Sequence, residues 1–493
     1  MPASAVLVVL LAWYTLGVGP TVFTSGDDVA YATTAIDIAT RAPLVHQLES
    51  PAFGTHFVAL TRVPNGYAPK TPLGTSLLLV PFYLVAGMRG LFMLGPLMGV
   101  LGVAALFDLT RQLTGRRRPA WIAAALLASV PPLVAHAAVI GSDVASLTIM
   151  TAALAVYVRH VKTPQPLTFA LFALLAGAAV VVRAPNAILF AAAIAHQAVT
   201  HRAHLIRRLP LLFGGCLIVA LLAAIQLTFN LVTFGALAGG YQKEVNAEAG
   251  LALANLPSHL PGYLLMLSAI PPFGLIAMAV VVRRERWSGG GVYALLAGIT
   301  LAFVTFYSAW WAFDFDYTRG FVGGARFVLP VLPILCLFVA VWMDSASSRT
   351  LRTALVGGCL TAQVAASLVL TYQLRLYKER MATHRDAIIF ATAPGSLVVG
   401  PEEWHKLMFG VDVEGRQYAT YDFLNGDAGE RELFRLIDER LNSRQPAYLL
   451  GSGSRETPEE RDALAAVRRR YQLRTVLDVD APYQLLINAV GMR

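Results

Sequence analysis

The stretch TSGDDVAYATTAID, residues 24–37, places two adjacent carboxylates, Asp27 and Asp28, just beyond an apolar run covering residues 3–23. Ser25 followed three residues later by Asp28 has the spacing of a helix capping box, and acids in a first helical turn complement the helix dipole. That accounts for one acid or for both. Asp27 and Tyr31, four residues apart, fall on one face of the same expected helix. A carboxylate beside an aromatic ring at a membrane surface could serve as a general base. A second acid, Asp143, follows Gly141 and Ser142 in VIGSDVAS. The cations are Lys70 in APKTPLG, Arg183 in VVRAPN, and Arg319 and Arg326 in DYTRGFVGGARFVLP, where Tyr317 stands two residues before Arg319. Each alone reads as a loop charge or a snorkelling side chain, and Tyr317 equally as part of an interfacial aromatic belt. Together they would make an anionic pocket, with Arg suited to phosphate oxygens in fork geometry.

The elements that must position these residues follow from hydropathy. The chain has 493 residues, 56% hydrophobic and 14% charged, with a mean hydropathy of +0.59, which excludes an ordinary soluble domain. Apolar runs at 3–23, 90–110, 119–139, 144–161, 167–182, 185–200, 210–234, 262–282, 291–312, 326–343 and 354–373 give about eleven transmembrane helices. The three cysteines, Cys216, Cys336 and Cys359, lie inside apolar runs, so neither a disulfide framework nor a zinc site is indicated. Residues 3–23 have no preceding Lys or Arg and no clear cleavage site, which favours a retained first span over a removed signal peptide.

Every second loop is basic: 111–119, 159–163, 201–208, 283–286 and 344–353. Cytoplasmic loops carry the excess of Lys and Arg, so the N-terminus is expected inside. Residues 24–89, 140–143, 235–261, 313–325 and everything after 374 are then outside. The run at 72–87 is expected to be re-entrant or interfacial, because a further span there would invert the Arg-rich loop at 111–119. The net charge of +9 is dispersed in these loops and not gathered on one face, which argues against nucleic acid as a partner.

After Arg375 charges become frequent. Short apolar blocks at 396–400, 417–423, 446–451, 474–479 and 483–490 read as strands, with helices at 402–409, 430–443 and 457–471. The fold class is therefore a polytopic α-helical membrane protein, residues 1–375 with an outer loop at 24–89, followed by an extracytoplasmic α/β domain at 376–493. The GSGS at 451–454 lacks the Gly-Lys-Ser/Thr spacing of a phosphate loop.

SGDDVAY after the first span, YAPKTPLGTSLLLVPFYL on the outer loop, GSD opening a later span and GARFVLPVLP near the last spans resemble, in that order, the GT-C superfamily of integral membrane glycosyltransferases. Within it the chain is similar to the bacterial branch of protein O-mannosyltransferases and the aminoarabinose transferase of lipid A. The resemblance covers roughly residues 1–375. It implies a polyprenyl-phosphate-linked sugar donor used on the outer face of the plasma membrane, with a glycan, lipid or protein acceptor. It places Asp27 at the family's catalytic acid with Asp28 beside it, Asp143 at the second outer acid, and Lys70 near the lipid phosphate. The chain has Asp-Asp where many relatives have Asp-Glu, and KTPLG where KPPLG is commoner. On this reading Asp27, Asp28 and Asp143 are catalytic, and Tyr31, Lys70, Arg183, Tyr317, Arg319 and Arg326 bind substrate. No cofactor is certain on this reading. A divalent cation, magnesium or manganese, bridging the three acids is the alternative that hard oxygen ligands leave open. A flippase or transporter of a lipid-linked saccharide, or a membrane scaffold, are the competing classes. An enzyme predicts Asp27 and Asp143 in one outer cavity, whereas a transporter predicts polar groups continuing to the cytoplasmic side.

Overall fold

The computed structural model describes residues 3–19, 21–46, 60–63, 65–202, 205–237, 239, 251–285, 291–310, 326–345, 348–401, 416–420, 427–451, 458–479 and 485–492. The chain divides into two compact units: a bundle formed by Met1–Val18 with Pro72–Leu374, and a second unit formed by Gly19–Thr71 with Arg375–Arg493.

The bundle is helical because its apolar runs, placed in hydrocarbon, can satisfy backbone N–H and C=O groups only within each segment. Among the described residues seven helices are long and apolar enough to cross a membrane, or nine when each of two bent pairs counts as one span. Two further apolar helices among the described residues, Ala5–Leu16 and Pro166–Val182, are shorter. Both bent pairs break at a Pro-Pro step. Arg117–Ala128 meets Pro131–Ala137 at 60°, and the run 253–269 meets Gly274–Glu285 at 81°, since proline removes a donor and clashes with the preceding turn. Carbonyls near the first bend find donors elsewhere in the bundle. The Tyr14 hydroxyl donates to Ala128 O at 2.8 Å and the Ser367 hydroxyl to Ser129 O at 2.7 Å.

The expected re-entrant run is the helix Leu73–Leu91, whose backbone leaves helical geometry at Ala86 and Gly87. By length and composition alone it could cross. Its N-terminus is held where the Leu73 amide donates to the Gln226 side chain at 2.8 Å. A Cβ on Gly74 would lie 2.5 Å from the Val182 backbone nitrogen, so only glycine lets this helix approach Pro166–Val182. Gly74→Ala is expected to destabilise the protein by about 1–3 kcal/mol through overpacking, read as a lower melting temperature in detergent.

Burial separates central from peripheral helices. Ser142–Lys162 and the run 326–344 are each 78% buried over their most apolar window, against 11% for Leu205–Phe234. The central helices also separate the charges. Ser142–Lys162 spans about 30 Å at 1.5 Å per residue, with Asp143 in its first turn and Arg159 and Lys162 in its last. At the latter end the basic loops converge: Arg159 pairs with Asp108 at 3.3 Å, Lys162 donates to Gln112 O, and Arg116 pairs with Asp344 at 3.2 Å. The loops 111–119 and 159–163 thus share one end of the bundle, and Asp143 lies at the other.

In the second unit the helix Gly26–Thr40 packs with a two-stranded antiparallel ribbon, β1 (Leu60–Val63) and β2 (Gly66–Pro69). The C-terminal segment contributes β3 (Leu397–Gly400), β4 (Gln417–Thr420), β5 (Ala447–Gly451), β6 (Tyr471–Val479) and β7 (Leu485–Met492). Their order is β4-β3-β5-β7-β6, with β3 parallel to both neighbours and β7 antiparallel to both. Asp427–Asn442 and Pro458–Arg470 are the connecting helices. The expected helix at 402–409 lies outside the described residues.

Period-two alternation explains the layers. Leu397, Val399 and Leu449 pack with Leu433, Ile437, Leu464 and Val467 of the two connecting helices. Val398, Leu450, Leu485 and Ile487 point the other way, onto Met381 and Ile388 of the long helix Arg349–Ala391 and onto Val22.

Candidate functional site

Ser25 is the N-cap of Gly26–Thr40, extended at φ −147° and ψ 163°, and its hydroxyl accepts from the Asp28 amide at 3.2 Å. The same hydroxyl donates to Asp28 Oδ1 at 2.6 Å, while the Thr24 amide and hydroxyl both donate to Asp28 Oδ2 at 2.8 Å. Both Asp28 oxygens are thus engaged and the residue is buried. Burial pushes its carboxyl above the usual carboxylate range, the hydrogen bonds from Ser25 and Thr24 pull it back, and the adjacent Asp27 charge pushes it up again. The cap is complete without Asp27, which stands half-buried in the first turn. Tyr31 lies one turn on and is buried.

Lys70 follows β2 directly and is half-buried. Its strand is fastened to the helix carrying the acids. His46 exchanges backbone hydrogen bonds with Tyr67, and its imidazole stands 2.9 Å from the Asp37 carboxylate.

The bundle holds a second charged centre at the end away from the basic loops. Arg183 occupies the extended break between Pro166–Val182 and the single turn Ala184–Asn186. Its guanidinium donates to Asp143 Oδ1 at 2.6 Å and to Arg326 O at 3.3 Å. It lies 5.2 Å from the Phe327 ring centroid and 5.8 Å from that of Tyr307, two rings themselves stacked at 5.2 Å. Arg326 approaches the Phe327 ring at 5.1 Å. Asp143 is also within electrostatic reach of Arg326 and His136. One turn below, Asn186 bridges Ser146 and Ala179 O at 2.8 and 2.7 Å, fixing the break that presents Arg183.

The expected site residues therefore fall into two groups: Asp27, Asp28, Tyr31 and Lys70 in the second unit, and Asp143, Arg183 and Arg326 in the bundle. Tyr317 and Arg319 lie outside the described residues. Sequence reasoning missed the aromatic partners Tyr307 and Phe327, and it missed Lys378, buried on the long helix within electrostatic reach of Asp28. The available signal for Lys378 was its position on the helix face that carries Met381 and Ile388. Among the described residues no group of three or more His, Cys, Asp or Glu side chains could hold a metal ion. Asp28 accepts three hydrogen bonds, and Asp143 accepts from a guanidinium.

Residues 70–227 match the family described as dolichyl-phosphate-mannose-protein mannosyltransferase. No curated protein sequence matches the chain. Among solved structures, ArnT from Cupriavidus metallidurans in the apo state is similar over 99% of this chain and 98% of its own, at 15% identity and a TM-score of 0.61. The same protein bound to undecaprenyl phosphate is similar over 99% and 97%, at 14% identity and a TM-score of 0.61. The oligosaccharyltransferase AglB from Archaeoglobus fulgidus, in complex with an inhibitory peptide and a dolichol-phosphate, is similar over 98% of this chain and 73% of its own, at 12% identity and a TM-score of 0.53. The chain has the GT-C glycosyltransferase fold. The family match begins at Lys70 and includes Asp143 and Arg183, while Asp27, Asp28 and Arg326 lie outside it in a chain that the GT-C structures cover almost end to end.

Proposed function

We propose that this protein transfers a sugar from a polyprenyl-phosphate-linked donor to an acceptor hydroxyl on the outer face of a bacterial inner membrane, with inversion at the sugar carbon. The observation that carries the reading is the half-buried Asp27, an acid at a helix N-terminus that the completed Ser25–Asp28 cap does not need. The GT-C fold and the family match at 70–227 support it. The Asp27 carboxylate accepts the acceptor's hydroxyl proton as that oxygen bonds to the anomeric carbon. The bond from that carbon to the phosphate oxygen breaks, and its electron pair leaves with the lipid phosphate. One displacement without a covalent intermediate inverts the centre. Lys70, which follows the ribbon packed on the helix of Asp27, is the cation proposed for the charge growing on the phosphate, and Tyr31 stands one turn from the base. Tyr317 and Arg319 retain their proposed substrate role. No step is routed through a metal ion.

The orientation proposed with this function puts the converging basic loops 111–119 and 159–163 in the cytoplasm. A proteoliposome assay with a donor labelled in its sugar tests the function. Label should leave the polyprenyl lipid and appear on an added membrane-extract acceptor. Label that changes leaflet with its lipid bond intact would establish a flippase instead, and label that does neither would leave the scaffold class.

A further inference from the structure

Lys378 is 3% exposed, and lysine is almost never buried to that degree without a partner. Its surroundings identify one. The segment 19–28 runs along the long helix: a Cβ on Gly19 would lie 3.0 Å from the Arg375 side chain, and Val22 packs with Met381. Lys378 sits midway, one helical turn from each, on the face this segment covers. Arg375 pairs with Glu379 at 2.8 Å in solvent, whereas the Lys378 ammonium is enclosed. The segment continues into Thr24, Ser25 and the buried Asp28 carboxylate they hold.

We propose that Lys378 is a positioning residue for the acid pair: its buried ammonium is the counter-charge of Asp28, and through Asp28 it fixes the first turn that carries Asp27. The proposal rests on the glycosyltransferase reading for its catalytic consequence but not for its structural one. The charged group within electrostatic reach of the ammonium is Asp28 of Gly26–Thr40, and on its own helix Arg375 and Glu379 pair with each other. The sheet face presents Val398, Leu450, Leu485 and Ile487, with Tyr418 and Tyr448 beside them. A buried cation within reach of Asp28 offsets the repulsion between that carboxylate and its neighbour Asp27. Without the cation, like-charge repulsion and desolvation favour protonating one of them.

The test is a set of substitutions in the full-length protein. Lys378→Met should lower the melting temperature in detergent, and Lys378→Met combined with Asp28→Asn should restore most of the loss, because the double variant removes both buried charges. In the transfer assay Lys378→Met should move the acidic limb of kcat upward by about one pH unit, with KM for the donor unchanged, and Lys378→Arg should restore the wild-type profile. A double variant no more stable than Lys378→Met alone, or a Lys378→Met protein with wild-type melting and an unmoved pH profile, overturns the proposal. The melting cycle decides it even where no transfer is detected, so its failure is distinct from failure of the functional reading.

Discussion

The Asp27→Asn protein is expected to reach the membrane at wild-type level, melt nearly as the wild type, and transfer sugar about a hundred- to ten-thousand-fold more slowly, the range a positioned general base contributes. The two halves of this expectation have separate physical origins. Stability is preserved because the N-cap is made by Ser25, Thr24 and Asp28. The substitution removes a charge near the helix N-terminus, worth about 0.3–1 kcal/mol. Turnover is lost because asparagine keeps the shape and hydrogen-bonding oxygen of the side chain but cannot take up the acceptor's proton. KM for the donor should change little, since the groups proposed for its phosphate are cations. The measurement is transfer from a polyprenyl-linked donor in purified membranes, beside a melting curve. Retained turnover with an intact fold would remove Asp27 as the base, and lost turnover with a collapsed melting temperature would show that the cap had been misassigned.

Asp28, one residue away, makes the stability depend on pH. Its folded carboxyl titrates above the unfolded value because it is buried. The native state therefore holds that proton more tightly than the unfolded chain, and this residue's contribution to stability falls as pH rises through the interval between the two values. Asp28→Asn should flatten that part of the stability curve.

What the sequence showed plainly was local or statistical. The Ser25–Asp28 cap is a three-residue spacing and could be read directly. The basic loops needed only charge bias to be grouped, and the structure brings 111–119 together with 159–163 at one end of the bundle. The strands of the C-terminal segment were legible because each carries a short apolar block in an otherwise charged segment. The helix breaks were half-legible: Pro131-Pro132 and Pro271-Pro272 lay inside runs counted as single spans, and proline pairs bend a helix without ending its apolar character. Pairings between distant positions were not legible. Arg183 and Asp143 are 40 residues apart, and hydropathy carries no information on which buried cation meets which buried acid. Lys378 was hidden for the same reason, since its burial depends on a segment that precedes it by about 350 positions.

Arg183 carries the second large expectation, and it separates a brace from a ligand. Replacing it with methionine leaves Asp143 buried without its nearest cation, which is expected to cost about 3–5 kcal/mol, read as a fall in melting temperature. Arg183→Met with Asp143→Asn should recover much of that loss, because an apolar residue of similar volume opposite a neutral amide leaves no uncompensated charge. Arg183→Lys should fall between, since an ammonium keeps the charge but not the planar surface that lies against Phe327 and Tyr307. A residue that served only the donor phosphate would give another pattern: near-normal melting in all three proteins, a raised KM for the donor, and substantial rescue by lysine. The short Asp143 contact and the flanking rings favour the first pattern, in which Arg183 locks the N-terminus of the buried helix Ser142–Lys162 against the break at 183–186. Arg326 is half-buried, joins the cluster through its carbonyl oxygen and sets its guanidinium against the Phe327 ring.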